Sequence, residues 1–137
     1  MATLIRAEIS EKNKYWISKH RHYELKHFCL QYESWKKAVD DLDGFKSQTG
    51  GESSRSNSPG DPTNKCVELR TGYLDRINLI ERIAYETDPI LHKYVLKAVT
   101  EGLSYTYLKS RLGIPCGRDM YYDRYRKFFW LLSESRG

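Results

Sequence analysis

The clearest patterning lies mid-chain, where Cys66, Tyr73, Ile77, Ile80 and Ala84 recur at spacings of three, four and seven residues, joined by Leu69, Leu74 and Ile83. That period gathers apolar side chains on one face of an α-helix. Asp61-Pro62 stands before it, an acidic N-cap followed by proline at the first helical position. The pattern predicts one long amphipathic helix ending near Thr87. Asp88-Pro89 repeats the start signal, Leu91, Tyr94, Val95, Ala98 and Val99 supply the next apolar face, and Gly102 supplies a stop. Ser104 then reads as an N-cap, with Leu108 and Leu112 one turn apart on one face. Gly113 can take a positive φ and reverse the chain, which drops Ile114 into the core beside the two leucines. Pro115 and Gly117 open a last helix, whose core stripe is Tyr121, Tyr125, Phe128, Phe129 and Leu132.

The N-terminal part is patterned less regularly. Tyr23, His27 and Leu30 fall at helical spacing, as do Trp35, Val39 and Leu42. They predict two helices between Tyr15 and Leu42, with a break near Tyr32 to Ser34 and a stop at Gly44. From Phe45 to Gly60 the chain is rich in Gly and Ser and reads as a flexible linker, with a reach of roughly 20 Å. No segment alternates at period two, so no sheet is expected. The expected fold is all-α: a small helical bundle with a C-terminal helix-turn-helix. The expected divisions are an N-terminal helical segment at 14–43, a linker at 44–60, and a helical domain at 61–134 with the helix-turn-helix at about 104–132.

Composition changes this picture in one respect. The 137 residues carry a net charge of +5, and the charge is concentrated. Residues 12–37 hold seven Lys/Arg against Glu24 and Glu33, and residues 102–127 hold six against Asp119 and Asp123. Between them, residues 61–101 carry six basic and seven acidic side chains. Two basic blocks flanking a neutral middle fit a face that binds a phosphate backbone; a solvated basic surface without a partner is the plainer alternative.

A short helix, a glycine turn, an apolar residue and a second helix bearing basic side chains is the helix-turn-helix layout, whose second helix enters the major groove. In the last helix Arg118, Tyr122 and Arg126 fall at i, i+4 and i+8, so one outward stripe is expected. Arg118 and Tyr122 would reach base edges or nearby phosphates, and Arg126 and Lys127 would anchor the backbone. Tyr105, Thr106 and Lys109 in the preceding helix would touch phosphate. Lys109 stands where many such motifs hold a small residue, and the Gly113–Gly117 turn is longer than the tightest form. An ordinary αα-hairpin with a solvated charged face is the competing reading.

These same segments resemble a family. Asp61-Pro62-Thr63, Asp88-Pro89, Glu101-Gly102-Leu103-Ser104-Tyr105 and the terminal Phe128-Phe129-Trp130-Leu131-Leu132 look like the RinA/ArpU-type phage transcriptional regulators. The segment Tyr23 through Phe28, with Tyr32 and Trp35, is similar to that family's leading helix. The resemblance covers about 14–43 and 60–133. It implies a phage or prophage protein in the cytoplasm of a bacterial host, activating late genes through a sigma-region-4-like module whose reading helix matches Arg118 to Arg126.

Other chemistry is discounted. Cys29, Cys66 and Cys116 form no CxxC pair, and reduced thiols are the simplest account. His20, His22 and His27 lie near Cys29, but His20 and His22 point about 200° apart on a helix, so no metal is expected. His27 is read as a partly buried helix residue. At Cys116 a helix N-terminus and Arg118 would lower the thiol pKa, although an inert thiol is the simpler reading. No phosphate loop, nucleophile elbow or paired-acid motif is present. Neither an enzyme nor a cofactor is expected. No apolar run approaches the length of a membrane span and no signal-peptide core is seen. Double-stranded DNA is the expected partner, with host RNA polymerase or another host protein complex as a second, and monomer and homo-oligomer both open. Two alternatives share the basic surface: a small-terminase-like packaging protein, and an anti-CRISPR-like inhibitor of a host nucleoprotein.

Overall fold

In a computed structural model the chain is described over residues 12–49 and 62–137. Among the described residues there are six helices: α1 (Lys19–Cys29), α2 (Tyr32–Thr49), α3 (Pro62–Thr87), α4 (His92–Glu101), α5 (Tyr105–Leu112) and α6 (Arg118–Arg136). Among the described residues there is no strand, and the fold is all-α.

The chain divides into two units, residues 32–79 and the remainder on either side of them. In the first, α2 is joined to α3 by polar and cationic contacts. Arg70 Nε donates to Asp43 Oδ1 at 2.7 Å, and the Arg76 guanidinium lies 5.6 Å from the Trp35 ring. Two expectations change here. The break between α1 and α2 falls at Leu30-Gln31, just before the predicted place. Gly44 does not stop α2, which continues to Thr49. Glycine ends a helix only by turning left-handed, and Gly44 does not do so; inside a helix it costs only about 1 kcal/mol relative to alanine. The first six residues of the expected linker, 44–49, are therefore helical, while 50–60 and the Asp61 cap lie outside the described residues. Pro62 is the first residue of α3, which ends at Thr87 as the pattern predicts.

The second unit is a helical bundle built around α6. Leu25, Phe28 and Cys29 of α1, Ile80, Ile83 and Ala84 of α3, Val95, Ala98 and Val99 of α4, Leu108 and Ile114 are all buried there. So are Tyr121, Phe128, Phe129 and Leu132 of α6. Arg21 locks α1 to the end of α6, donating from Nε to Ser133 Oγ at 3.0 Å and from Nη2 to Ser133 O at 3.1 Å.

The Asp88-Pro89 signal works as a start, with a delay. Asp88 Oδ1 accepts from the N–H of Ile90 at 2.9 Å and of Leu91 at 3.0 Å, so it caps a turn, and the helix proper begins at His92. Asp88 Oδ2 accepts from Arg124 Nε at 2.8 Å, and Arg124 also pairs with Asp123. Burial would raise the Asp88 carboxyl, but these hydrogen bonds hold it below the usual carboxylate range. Gly102 and Gly113 both adopt left-handed φ, 70° and 67°, and end α4 and α5.

Candidate nucleic-acid interface

The residues singled out by the sequence lie on α5, on the turn after it and on α6. Ser104 caps α5, its Oγ accepting from the Tyr107 N–H at 3.1 Å. At the other end the N–H groups of Gly113 and Ile114 both reach the Leu108 carbonyl. This closure needs the left-handed glycine, and it places Ile114 fully inside. Gly117 then takes an extended conformation as the N-cap of α6. The Tyr105 hydroxyl donates to the Cys116 carbonyl at 2.7 Å, tying the start of α5 to the approach to α6.

What remains outside is basic and polar. Thr106, Lys109, Ser110, Arg111 and Arg118 are exposed. Lys109 needs no small-residue packing position, because its side chain runs outward and its ammonium reaches the Ile114 carbonyl at 3.4 Å. Arg118 lies over the Tyr105 ring, 5.0 Å from its centroid. That contact limits the rotamers of a guanidinium at the first residue of α6 while leaving the side chain open to solvent. Among the described residues, Lys109, Arg111 and Arg118 make no side-chain ion pair.

The other expected contacts fare differently. Tyr122 is 7 % exposed, and its ring lies 5.0 Å from Tyr121 and 6.3 Å from Tyr125. It belongs to the core, and the expected outward stripe of Arg118, Tyr122 and Arg126 does not exist as one surface. The reason is the width of the apolar sector: α6 is covered on several sides, so a stripe one residue from the predicted core face is also enclosed. Tyr105 is likewise buried, a wall and hydrogen-bond donor rather than an open side chain. Arg126 and Lys127 are half-buried, and Arg126 Nε is enclosed without a hydrogen-bond partner. Arg124 is occupied by Asp88 and Asp123. The block of six basic residues read from the sequence thus reduces to three exposed, unpaired cations. Sequence reasoning counted Arg111 in the basic block but gave it no contact, and it passed over Tyr107 and Met120, which are exposed on the same segment. Tyr107 and Arg111 stand at i and i+4, a spacing that could have flagged them.

The discounted groups also acquire positions. His27 is exposed and His22 is the buried histidine, reversing the expectation for His27. The His22 ring packs edge-on to Phe129 at 4.8 Å, and its Nε2 lies 3.2 Å from the Tyr125 hydroxyl. Burial, aided by nearby Lys26, lowers its pKa to about 4. Burial raises the Cys116 thiol, against the lowering considered from the sequence. Among the described residues no three His, Cys, Asp or Glu side chains stand close enough to hold a metal ion, and no helix is long and apolar enough to cross a membrane.

His22 supplies a test of this packing. Its pKa in the fold lies below the unfolded value of 6.5, so the unfolded chain takes up the proton first. The stabilisation is complete above pH 6.5 and is lost as pH falls from 6.5 towards 4, by about 3 kcal/mol in all. Urea midpoints measured from pH 8 to 4 should fall more steeply for the natural chain than for His22→Phe. Parallel curves would show that His22 is not held neutral by burial.

Comparison with protein-family models, curated proteins and solved structures returns no match.

Proposed function

We propose that the chain binds double-stranded DNA through a helix-turn-helix made of α5, the Gly113–Gly117 turn and the first turns of α6, and that it acts as a phage-type transcriptional regulator. The observation that carries this reading is the division of the α5–turn–α6 segment. Leu108 and Ile114 are buried, while Lys109, Arg111 and Arg118 stand exposed without acidic partners. A helix-turn-helix uses that division: apolar residues fix the angle between the helices, and the start of the second helix presents its donors to base edges. Arg118 is the base-reading candidate, because it opens α6 and carries a fork that matches guanine O6 and N7. Lys109 and Arg111 take the phosphates, with Thr106 beside them. Arg126 and Lys127 would contribute at the margin. The resemblance to RinA/ArpU-type regulators points the same way, towards a protein that works on a promoter in a bacterial host.

The test is selection of bound DNA from a random library at two salt concentrations. The expected outcome is an enriched site whose affinity falls with salt, at a slope of roughly −3 if about three phosphates are neutralised. Flat enrichment with a steep salt slope would overturn the regulator reading and leave a non-specific DNA binder. No binding at low salt would overturn both.

A further inference from the structure

A cleft of about 140 Å³ lies between α1, α4, α6 and the Gly102–Tyr105 segment. Half of its lining residues carry rings, among them His22, Tyr23, Tyr105, Tyr122, Tyr125 and Phe129. An apolar cavity of about 150 Å³ is known to admit benzene, so the space suits one aromatic ring. Edge-to-face neighbours at 5.0 Å, such as Tyr125 and Phe129, provide walls against which a further ring can pack.

Charge selects among single-ring ligands. Lys26 is the one charged residue lining the cleft, no carboxylate lines it, and Lys26 makes no ion pair among the described residues. A cage of rings attracts a cation through the ring faces, but Lys26 repels it and no acid offsets that repulsion. An anion meets the opposite situation. A second polar feature lies on the same helix, four residues earlier. His22 is 6 % exposed, and its Nδ1 is buried with no hydrogen-bond partner. A buried nitrogen left without a partner has lost its hydration and gained nothing in return. Nδ1 is closed to water as the ring stands, so a turn of the imidazole must open it to the cleft; a ligand hydroxyl then relieves that loss in either ring tautomer, donating to a bare nitrogen or accepting from an N–H.

We propose that this cleft binds a monocyclic aromatic carboxylate with a polar ring substituent: the carboxylate on Lys26, the ring among Tyr122, Tyr125 and Phe129, and the substituent on His22. The site does not depend on the DNA reading, and its test contains no DNA. It shares Ser104 and Tyr105 with the start of α5, so an occupant would press on the helix proposed to touch phosphate.

The experiment is an NMR titration of the full chain with 4-hydroxybenzoate, with neutral 4-hydroxybenzyl alcohol, and with choline as the cationic probe. We expect saturable amide shifts at His22, Lys26 and Tyr122 with the acid, binding of the alcohol about tenfold weaker, and none with choline. Lys26→Gln, at a half-buried site that leaves the rings in place, should weaken the acid about tenfold and leave the alcohol unchanged. His22→Phe should weaken both. The proposal is overturned if 4-hydroxybenzoate shows no saturable shifts at millimolar concentration, if acid and alcohol bind equally, if Lys26→Gln leaves the acid unaffected, or if choline binds in preference.

Discussion

Replacing Phe129 by alanine should destabilise the chain by about 3–5 kcal/mol, against a total of 5–15 kcal/mol typical of a natural domain. Phe129 is 2 % exposed and is held by three neighbouring rings, His22 at 4.8 Å and Tyr125 and Phe128 at 5.0 Å each. Removing its ring forfeits the transfer energy of six carbons and leaves a void beside an existing cleft. It also removes the edge-to-face contacts, each worth about 0.5–1.5 kcal/mol beyond area. The comparison is Tyr107→Ala, which truncates another aromatic on an exposed surface and should change stability by less than about 0.5 kcal/mol. Urea unfolding followed by circular dichroism measures both. If Phe129→Ala shifts the midpoint no more than Tyr107→Ala does, the ring cluster around α6 is not the core of this unit.

The contrast between these two aromatics shows what the sequence could and could not reveal. Periodicity placed Phe129, Leu108 and the long α3 correctly, because each lies on a stripe whose spacing matches one helical turn, and the Gly113 reversal placed Ile114. The left-handed glycines at 102 and 113 were legible too, since a glycine after an apolar stripe has few other uses. Gly44 carried the same signal and did not act on it, because no reversal of the chain is made there. Tyr122 was misplaced for a related reason. A helical wheel gives the centre of the apolar face but not its width, and the width depends on how many neighbours surround α6. Charge counting failed in the same way at Arg124: nothing local marks Asp88, 36 residues earlier, as its partner. The cleft was illegible altogether, since it draws its walls from four separate helices and a loop.

Those differences decide how the interface should be challenged. Arg118 and Arg126 were the natural pair in the sequence, but Arg126 Nε is enclosed, so reversing its charge would disturb folding as well as binding. Lys109 and Arg118 are both exposed, and Lys109→Glu with Arg118→Glu should leave the helix content and the urea midpoint nearly unchanged. Each lost contact from a charged donor to phosphate or base is worth about 1.5 kcal/mol or more, so the double variant should bind DNA about 100-fold more weakly. Its salt slope should shrink by about one, for Lys109, the phosphate-facing cation of the pair, while loss of Arg118 should relax the preference for the selected site. Lys37→Glu with Lys93→Glu makes the same change in net charge at exposed positions on α2 and α4. It should lower affinity only a few-fold, through the long-range field that salt screens. Fluorescence anisotropy with a labelled duplex at several salt concentrations separates a site from a general charge effect. Equal losses for the two double variants would mean that α5 and α6 hold no particular claim on DNA, whatever their layout.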